Sequence, residues 1–310
     1  MTRRTFAYLV AILAAAACQK ADPSTAPADQ AKKVGSDDPW AAKAVVKHPL
    51  PHPFFWSVEK DGKTTYMLGT MHVGIDAESQ LPQIVFDKLD AARAFAMETD
   101  INDQSLGELN LPAGETVHQE LGDDYWHKLE GALTPPVASR IDRMKPMVAA
   151  TMLSMKDMPK TGAMDSLLLG RATNKRKQIV YLEPAAKQEK LLEKWMDARA
   201  LKEMIDDLDT SAARQHEMVD AYLAGDDSKA TELADEERAD AKRHGHTDAE
   251  YDQEMDEMLY DRNASWIPEL EQLHADGGGF VAVGAMHLLG KRSVLDLLAA
   301  KGYKITRISP

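Results

Sequence analysis

The folded part of the chain opens with two β-rich runs. Residues 54–59 and 64–69 flank a polar turn that contains Gly62, and this order predicts a β-hairpin. Residues 80–93 then place apolar side chains near helical spacing, and the apolar run 94–99 predicts a short buried strand. Strand, helix and strand in this order predict a right-handed βαβ unit.

This pattern places two polar side chains at strand ends. His72 follows the second strand of the hairpin, and Glu98 lies at the end of the next strand. We expect both residues at the carboxyl ends of neighbouring parallel strands, where open α/β sheets bind their ligands.

Helical patterns dominate the middle of the chain, from about residue 104 to 270. The apolar run 177–184 interrupts them and predicts a third strand, which ends on Glu183. The helical patterns cover residues 123–133, 136–157, 162–174, 185–223 and 228–273, with breaks. We interpret the region as a large helical insertion.

The chain closes with a second strand, helix and strand. Residues 279–287 predict a buried strand that runs into a glycine turn, and residues 291–301 predict a helix capped by Gly302. A last strand is predicted at 303–308. The fold class is therefore α/β (α+β), with a mixed β-sheet built from two βαβ-like units at the chain ends and the helical insertion between them.

The first residues have the order of an export signal. Arg3 and Arg4 precede twelve apolar residues, 6–17, and Cys18 follows at once. This run is too short to span a hydrocarbon core about 30 Å thick as a helix, so cleavage is the better interpretation. We predict a signal peptide over 1–18.

Cys18 lies where a bacterial lipobox has its lipidated cysteine, although Ala15 stands where that motif usually has Leu. An ordinary signal peptide of a soluble exported protein is therefore the alternative. Residues 19–49 are rich in Ala, Lys, Asp, Pro and Ser and predict a disordered tether. Residues 50–310 suffice for a single domain. The predicted location is the cell envelope, with a membrane anchor through the N-terminal lipid, facing the periplasm in a Gram-negative host.

Composition excludes several classes of protein. A net charge of −13 argues against a nucleic-acid partner. Cys18 is the only cysteine, so the mature chain has neither a disulfide nor a free thiol nucleophile. The sequence contains no Gly-x-Ser-x-Gly and no His-Glu-x-x-His. A serine hydrolase of the nucleophile-elbow type and a zincin are therefore not expected.

Two Gly-x-x-His motifs carry the candidate chemistry, at His72 and His287. Glycine allows a positive φ and a close backbone approach, which lets the chain turn and direct the imidazole into a crevice. Two such histidines with Glu98 would hold a divalent ion of the Mn, Co or Zn class and leave positions open for water and substrate. The alternative is that each histidine is a hydrogen-bonded turn residue.

Three further residues are candidates for catalytic roles. Glu98 is either a ligand or a general base, and Glu183 is a second candidate for both roles. The alternative for each is a carboxylate that marks the return of the chain to water. Arg262 would clamp a substrate carboxylate or stabilise an oxyanion, or it would form a surface ion pair of little energetic value.

Other polar residues receive simpler interpretations. Asp165 is placed to cap the N-terminus of a helix, and we prefer that role to a catalytic one. His244 and His246 have the side chain of a metal ligand but stand in a polar segment, which we interpret as a solvated loop.

These motifs together resemble the TraB/GumN family, whose animal relatives are the TIKI metalloproteases. The resemblance runs through residues 66–73, 97–100, 164–165, 182–183 with Gln188, 262–263, 283–290 and 302–303. It implies an α/β core with a helical insertion and, by analogy to the TIKI proteins, metal-dependent peptide hydrolysis that uses His72, Glu98 and His287.

The sequence therefore supports one leading hypothesis and two alternatives. The first is a divalent-metal-dependent hydrolase of peptides or small molecules at the cell envelope. The second is a non-catalytic protein that binds a peptide, metal or haem through the same residues. In the third, an envelope scaffold, both histidines are structural.

Overall fold

The structure is a computed structural model that describes residues 49–103 and 109–310. The described strands are β1 (Phe55–Lys60), β2 (Lys63–Thr70), β3 (Ala94–Met97), β4 (Gln178–Tyr181), β5 (Phe280–Gly284) and β6 (Lys304–Arg307). They form one mixed sheet in the order β4-β3-β5-β2-β1-β6.

The predicted hairpin is present as β1 and β2, which pair antiparallel in the register Phe55 to Leu68. Asp61 and Gly62 form the two-residue connection, and both have positive φ, at 51° and 74°. Asp-Gly suits such a turn because its twist matches that of the two strands. β6 pairs antiparallel with the other edge of β1.

The last long apolar run of the chain, β5, lies at the centre of the sheet. It pairs in parallel with β2 on one side and with β3 on the other. The prediction that β2 and β3 are neighbours is therefore wrong. Every residue of β5 is buried, and such a strand is most stable when both of its edges are paired.

Helices connect and cover these strands. They are α1 (Ala77–Gln80), α2 (Gln83–Ala91), α3 (Val117–Leu121), α4 (Asp123–Leu133), α5 (Pro135–Ile141), α6 (Pro146–Met155), α7 (Met164–Asn174), α8 (Ala185–Trp195), α9 (Ala198–Asp206), α10 (Leu208–Ala224), α11 (Asp227–Arg243), α12 (Asp248–Met255), α13 (Asp261–Ala275) and α14 (Val294–Ala300). A π-helical turn, Asp256–Tyr260, joins α12 to α13, and a 3₁₀ turn, Ala285–Leu288, follows β5. The mixed α/β class and the helical middle region are thus confirmed.

The buried apolar side chains form two clusters. The first surrounds the sheet and includes Phe55, Leu68 and Phe280. The second lies among the helices of the middle region, and Met286 packs against both clusters. The end of β5 therefore lies where the sheet meets the helical insertion. Among the described residues, no helix is both long and apolar enough to cross a membrane.

Candidate functional site

The sheet brings four predicted site residues to one edge. β2, β5, β3 and β4 run parallel to one another, so their carboxyl ends lie on the same side. His72, His287, Glu98 and Glu183 each lie on or just after the end of one of these strands. All four are buried, at 4 % exposure or less. The two glutamates therefore do not mark a return of the chain to water.

The ring of His72 is fixed through one nitrogen only. Its Nδ1 lies 2.5 Å from Oδ2 of Asp165, and Oδ1 of Asp165 accepts a hydrogen bond from the Thr70 hydroxyl at 2.9 Å. Its Nε2 is buried and has no hydrogen-bond partner. Because a buried polar atom without a partner is uncommon and costly, this nitrogen is the first candidate for a ligand contact.

The electrostatics of His72 and Asp165 are coupled. Burial alone would lower the pKa of His72, but the charge and hydrogen bond of Asp165 raise this pKa above its ordinary value. Burial alone would raise the pKa of Asp165, but the charge of His72 and the hydrogen bonds from His72 and Thr70 hold this pKa below its ordinary value. Each group therefore favours the charged form of the other.

The ring of His287 is held by an amide rather than a carboxylate. Its Nδ1 lies 2.6 Å from Oδ1 of Asn263, whose Nδ2 donates to the backbone carbonyl of Arg292 at 3.0 Å. Because that second bond assigns the amide oxygen to the histidine, Nδ1 carries the proton and Nε2 keeps its lone pair. Trp266 packs against the ring with centroids 4.4 Å apart.

His287 stays neutral. Burial, followed by the positive charges of Arg262 and His72, holds the pKa of His287 well below its ordinary value. A neutral imidazole with Nδ1 hydrogen-bonded and Nε2 available is the usual form of a metal-ligating histidine. His72 would take the same form after losing its Nε2 proton.

Arg262 lies between the two glutamates. Its Nε donates to Glu183 Oε1 at 2.8 Å and its Nη2 to Glu98 Oε2 at 2.6 Å. Nη2 also lies 2.6 Å from Glu183 Oε1. Nη1 donates to the Met258 carbonyl at 2.9 Å and to Nε2 of His287 at 3.2 Å. All three guanidinium nitrogens are engaged with protein groups, and the surface ion pair suggested for Arg262 is excluded because the side chain is 2 % exposed.

The two glutamates differ in how many hydrogen bonds their carboxylate oxygens accept. Glu98 Oε1 accepts from the Gly284 amide at 2.8 Å, and its Oε2 accepts from Gln188 at 3.2 Å as well as from Arg262. Glu183 Oε2 is buried without a hydrogen-bond partner, and it forms an ion pair with the ammonium of Lys187 at 3.4 Å. Glu183 thus has the freer carboxylate oxygen.

The proposed ligand atoms are close but not assembled. Nε2 of His287 lies 3.7 Å from Oε1 of Glu98. Two donor atoms bound about 2.1 Å from one tetrahedral ion would lie about 3.4 Å apart. In residues 49–103 and 109–310, no three His, Cys, Asp or Glu side chains are grouped closely enough to hold a metal ion.

Neither glycine of the two Gly-x-x-His motifs adopts a positive φ, and Gly69 instead allows a close approach of the backbone. Neither Gly69 nor Gly284 has a positive φ, so that part of the prediction is wrong. A Cβ on Gly69 would lie 3.0 Å from Cα of Ala285 and 3.2 Å from Cβ of Phe54. A side chain at this position would therefore require the turn after β5 to shift by a few tenths of an ångström.

Three simpler interpretations need correction. Asp165 does not cap α7, whose N-cap is Ala163 without a side-chain hydrogen bond, because its carboxylate is engaged with His72 and Thr70. His246 is not solvated: it is buried and lies 2.8 Å from Glu203. His244 is partly buried and lies 2.8 Å from Asp207. Neither joins the site at the sheet edge.

Sequence reasoning missed the residues that orient the histidines. Asp165 was assigned a local role, and Asn263 and Thr70 were assigned no role. Asn263 directly follows Arg262, so its position beside a candidate residue was an available signal. Cys18 and residues 1–48 lie outside the described residues, and the signal peptide, lipid anchor and tether therefore stay predictions.

The fold and the site together define a class: mixed α/β proteins with a buried two-histidine, two-glutamate site at one sheet edge. The sequence pattern of the TraB/PrgY/gumN family matches residues 54–307. This protein belongs to that family.

Two similar proteins share one name. The chain is 23 % identical to "Uncharacterized protein YbaP" of Shigella flexneri over 245 residues, which cover 76 % of this chain and 87 % of the relative. It is 23 % identical to the protein of that name in Escherichia coli K12 over 244 residues, with 75 % and 87 % covered. No solved structure matches the chain significantly.

Proposed function

We propose that this protein is a divalent-metal-dependent hydrolase of the cell envelope, with peptides as its substrate class. The observation that carries the proposal is the buried Nε2 of His72, which has no partner although Nδ1 is fixed by Asp165. A carboxylate on the far nitrogen of a histidine is the usual support for a metal ligand.

The chemical types of the residues suit such an ion, and binding would require the three side chains to draw closer together. His72 and His287 each have Nδ1 bound to an oxygen, so Nε2 would be the nitrogen that each offers to an ion. Glu98 supplies Oε1, 3.7 Å from Nε2 of His287. Two imidazoles and one carboxylate suit Mn, Co or Zn and leave coordination positions open.

Each residue then has a distinct part in hydrolysis. When bound, the ion would supply Lewis-acid activation of water and of a substrate carbonyl. Glu183 is the better general base, because its Oε2 accepts no hydrogen bond and only forms an ion pair with Lys187, while Glu98 accepts from three donors. Asp165 and Asn263 keep the Nδ1 protons in place and so present Nε2 of each histidine.

A groove beside the site supports a peptide as substrate. It has a volume of ≈ 560 Å³, within the usual size range of ligand sites, and its lining includes Tyr260, Met286 and Arg292. Met286 precedes His287, and the carbonyl of Arg292 orients Asn263. Apolar side chains and charged side chains of both signs line the groove. This mixture suits an extended peptide.

The second part of the proposal concerns where in the cell the protein lies. The export signal over 1–18 and lipidation of Cys18 would place the folded domain at a membrane surface in the envelope. The tether over 19–49 would let the domain reach substrates near that membrane.

Hydrolysis of a broad peptide library tests the proposal. We expect cleavage by the purified protein with Mn²⁺, Co²⁺ or Zn²⁺, loss of cleavage with chelator and loss in His287→Gln. His274→Gln is the matched control, because His274 is buried but binds Thr65 and the Lys60 carbonyl outside the site. Stoichiometric metal or peptide binding without turnover would contradict hydrolysis and favour a binding protein.

A further inference from the structure

Arg262 touches two of the three proposed ligands. Nη1 donates to Nε2 of His287 at 3.2 Å, and Nη2 donates to Oε2 of Glu98 at 2.6 Å. The lone pair on Nε2 of His287 can be given to one partner at a time. The guanidinium and a metal ion therefore compete for the same electron pair.

We propose that Arg262 is the internal counter-cation of this site, and that a divalent ion binds by exchanging with its guanidinium at His287 and Glu98. The inference rests on the proposed function, because it concerns the same ligand set. It assigns Arg262 as a positioning residue in the metal-free protein and explains why Nε2 of His287 and the Glu98 carboxylate lie close together with a guanidinium bound to both.

The charges of the site require such a cation. The side chains of Glu98 and Glu183 are each 2 % exposed, and buried carboxylates without a counter-charge are strongly destabilising. Arginine is always protonated in proteins, so the guanidinium does not leave its partners by losing a proton. Only another cation replaces it at Glu98 without leaving that carboxylate uncompensated.

The exchange leaves Arg262 attached. Nε stays with Glu183 at 2.8 Å, and Nη1 keeps its second bond to the Met258 carbonyl at 2.9 Å. The π-helical turn that ends at Tyr260 supplies that carbonyl. The N–H that His287 gives up would then lie beside the ligands. It becomes available to an oxyanion, so metal binding would also create the catalytic donor.

Metal affinity of Arg262 variants tests the exchange. Co²⁺ binding to the full-length protein would be followed by visible absorption for wild type, Arg262→Met and Arg262→Lys. The methionine variant removes the competing donors and the charge, whereas lysine keeps a charge but cannot reach both carboxylates and His287 together. We expect at least tenfold tighter Co²⁺ binding in Arg262→Met and tighter binding in Arg262→Lys.

Arg214→Met is the matched control, because Arg214 pairs with the buried Asp240 outside the site. We expect a loss of stability there without a change in Co²⁺ affinity. If Arg262→Met does not fold, Arg262→Lys decides the question. Equal or weaker binding in the folded Arg262 variants, with wild type binding well, would overturn the exchange and leave the metal site standing. No binding by wild type or any variant would overturn both proposals.

Discussion

Nδ1 of His72 lies 2.5 Å from Oδ2 of Asp165, a residue 93 positions further along the chain. Asp165 stands in the first turn of α7 and reaches the end of β2. This contact fixes the ring of the first Gly-x-x-His motif and leaves Nε2 directed away from Asp165. It also makes the electrostatics of the site testable without any substrate.

Asp165→Asn should remove a stabilising contribution from the metal-free protein within a limited pH window. The pKa of Asp165 is lowered on folding, so its contribution is lost as pH falls below about 3.9. The pKa of His72 is raised, so its contribution is lost as pH rises from about 6.5 through the raised value.

The difference in unfolding free energy between wild type and Asp165→Asn should therefore be largest between about pH 4 and 6.5. Urea denaturation across pH 3 to 9 (on the order of ten points) would measure it. A difference that does not vary over this range would show that the two groups are not an ion pair.

Asn263→Leu should weaken metal binding by about 10–100-fold, because His287 loses the acceptor that holds its Nδ1 proton. Asn263→Asp keeps an acceptor at the same place and should retain more of the affinity. Calorimetric titration of both variants with Zn²⁺ would compare them. Equal losses in the two variants would mean that the hydrogen bond to Nδ1 does not matter.

Substitution of the two glutamates should affect different properties: turnover for Glu183 and metal binding for Glu98. Glu183→Gln keeps an oxygen for Arg262 but loses the base, so kcat should fall by about 10²–10⁴-fold while the metal content is unchanged. Glu98→Gln should instead lower the metal affinity. Metal analysis and peptide hydrolysis on the same preparations would distinguish these results. Loss of metal in Glu183→Gln would reverse the assignment.

Gly69→Ala should lower the free energy of unfolding by about 1–3 kcal/mol, since the added methyl would press on the backbone of Ala285. Gly131→Ala, in α4, is the control: a Cβ there meets nothing within 4 Å, and alanine should stabilise the helix by about 0.5–1 kcal/mol. Thermal and urea unfolding would test both. A neutral Gly69→Ala would mean that the turn after β5 tolerates a shift.

Local patterns were enough for much of the fold. The hairpin, the strand that ends at Glu98 and the strand that ends at Glu183 each follow from a run of apolar residues bounded by polar ones. The position of β5 between β2 and β3 depends on pairing across about 200 residues of chain, and no local periodicity encodes it.

The residues of the site also fall into two groups: those that a local sequence pattern predicts and those that depend on distant contacts. His72, His287 and Glu98 were predicted because each follows a strand, and the strands meet at one edge. Asp165 was misassigned because an acid near a helix start has a local explanation, while its partner lies on another element. The network of Arg262 was not predictable, since three of its four acceptors lie on segments that are distant in the sequence.

The most direct test of the account is the metal content of His72→Gln and His287→Gln, beside wild type and His274→Gln, after reconstitution with Mn²⁺, Co²⁺ and Zn²⁺. Circular dichroism would confirm matched folding. We expect close to one ion per chain in wild type and His274→Gln, and its loss in both site variants. Equal metal content in all four proteins, or a wild type without metal, would contradict the account.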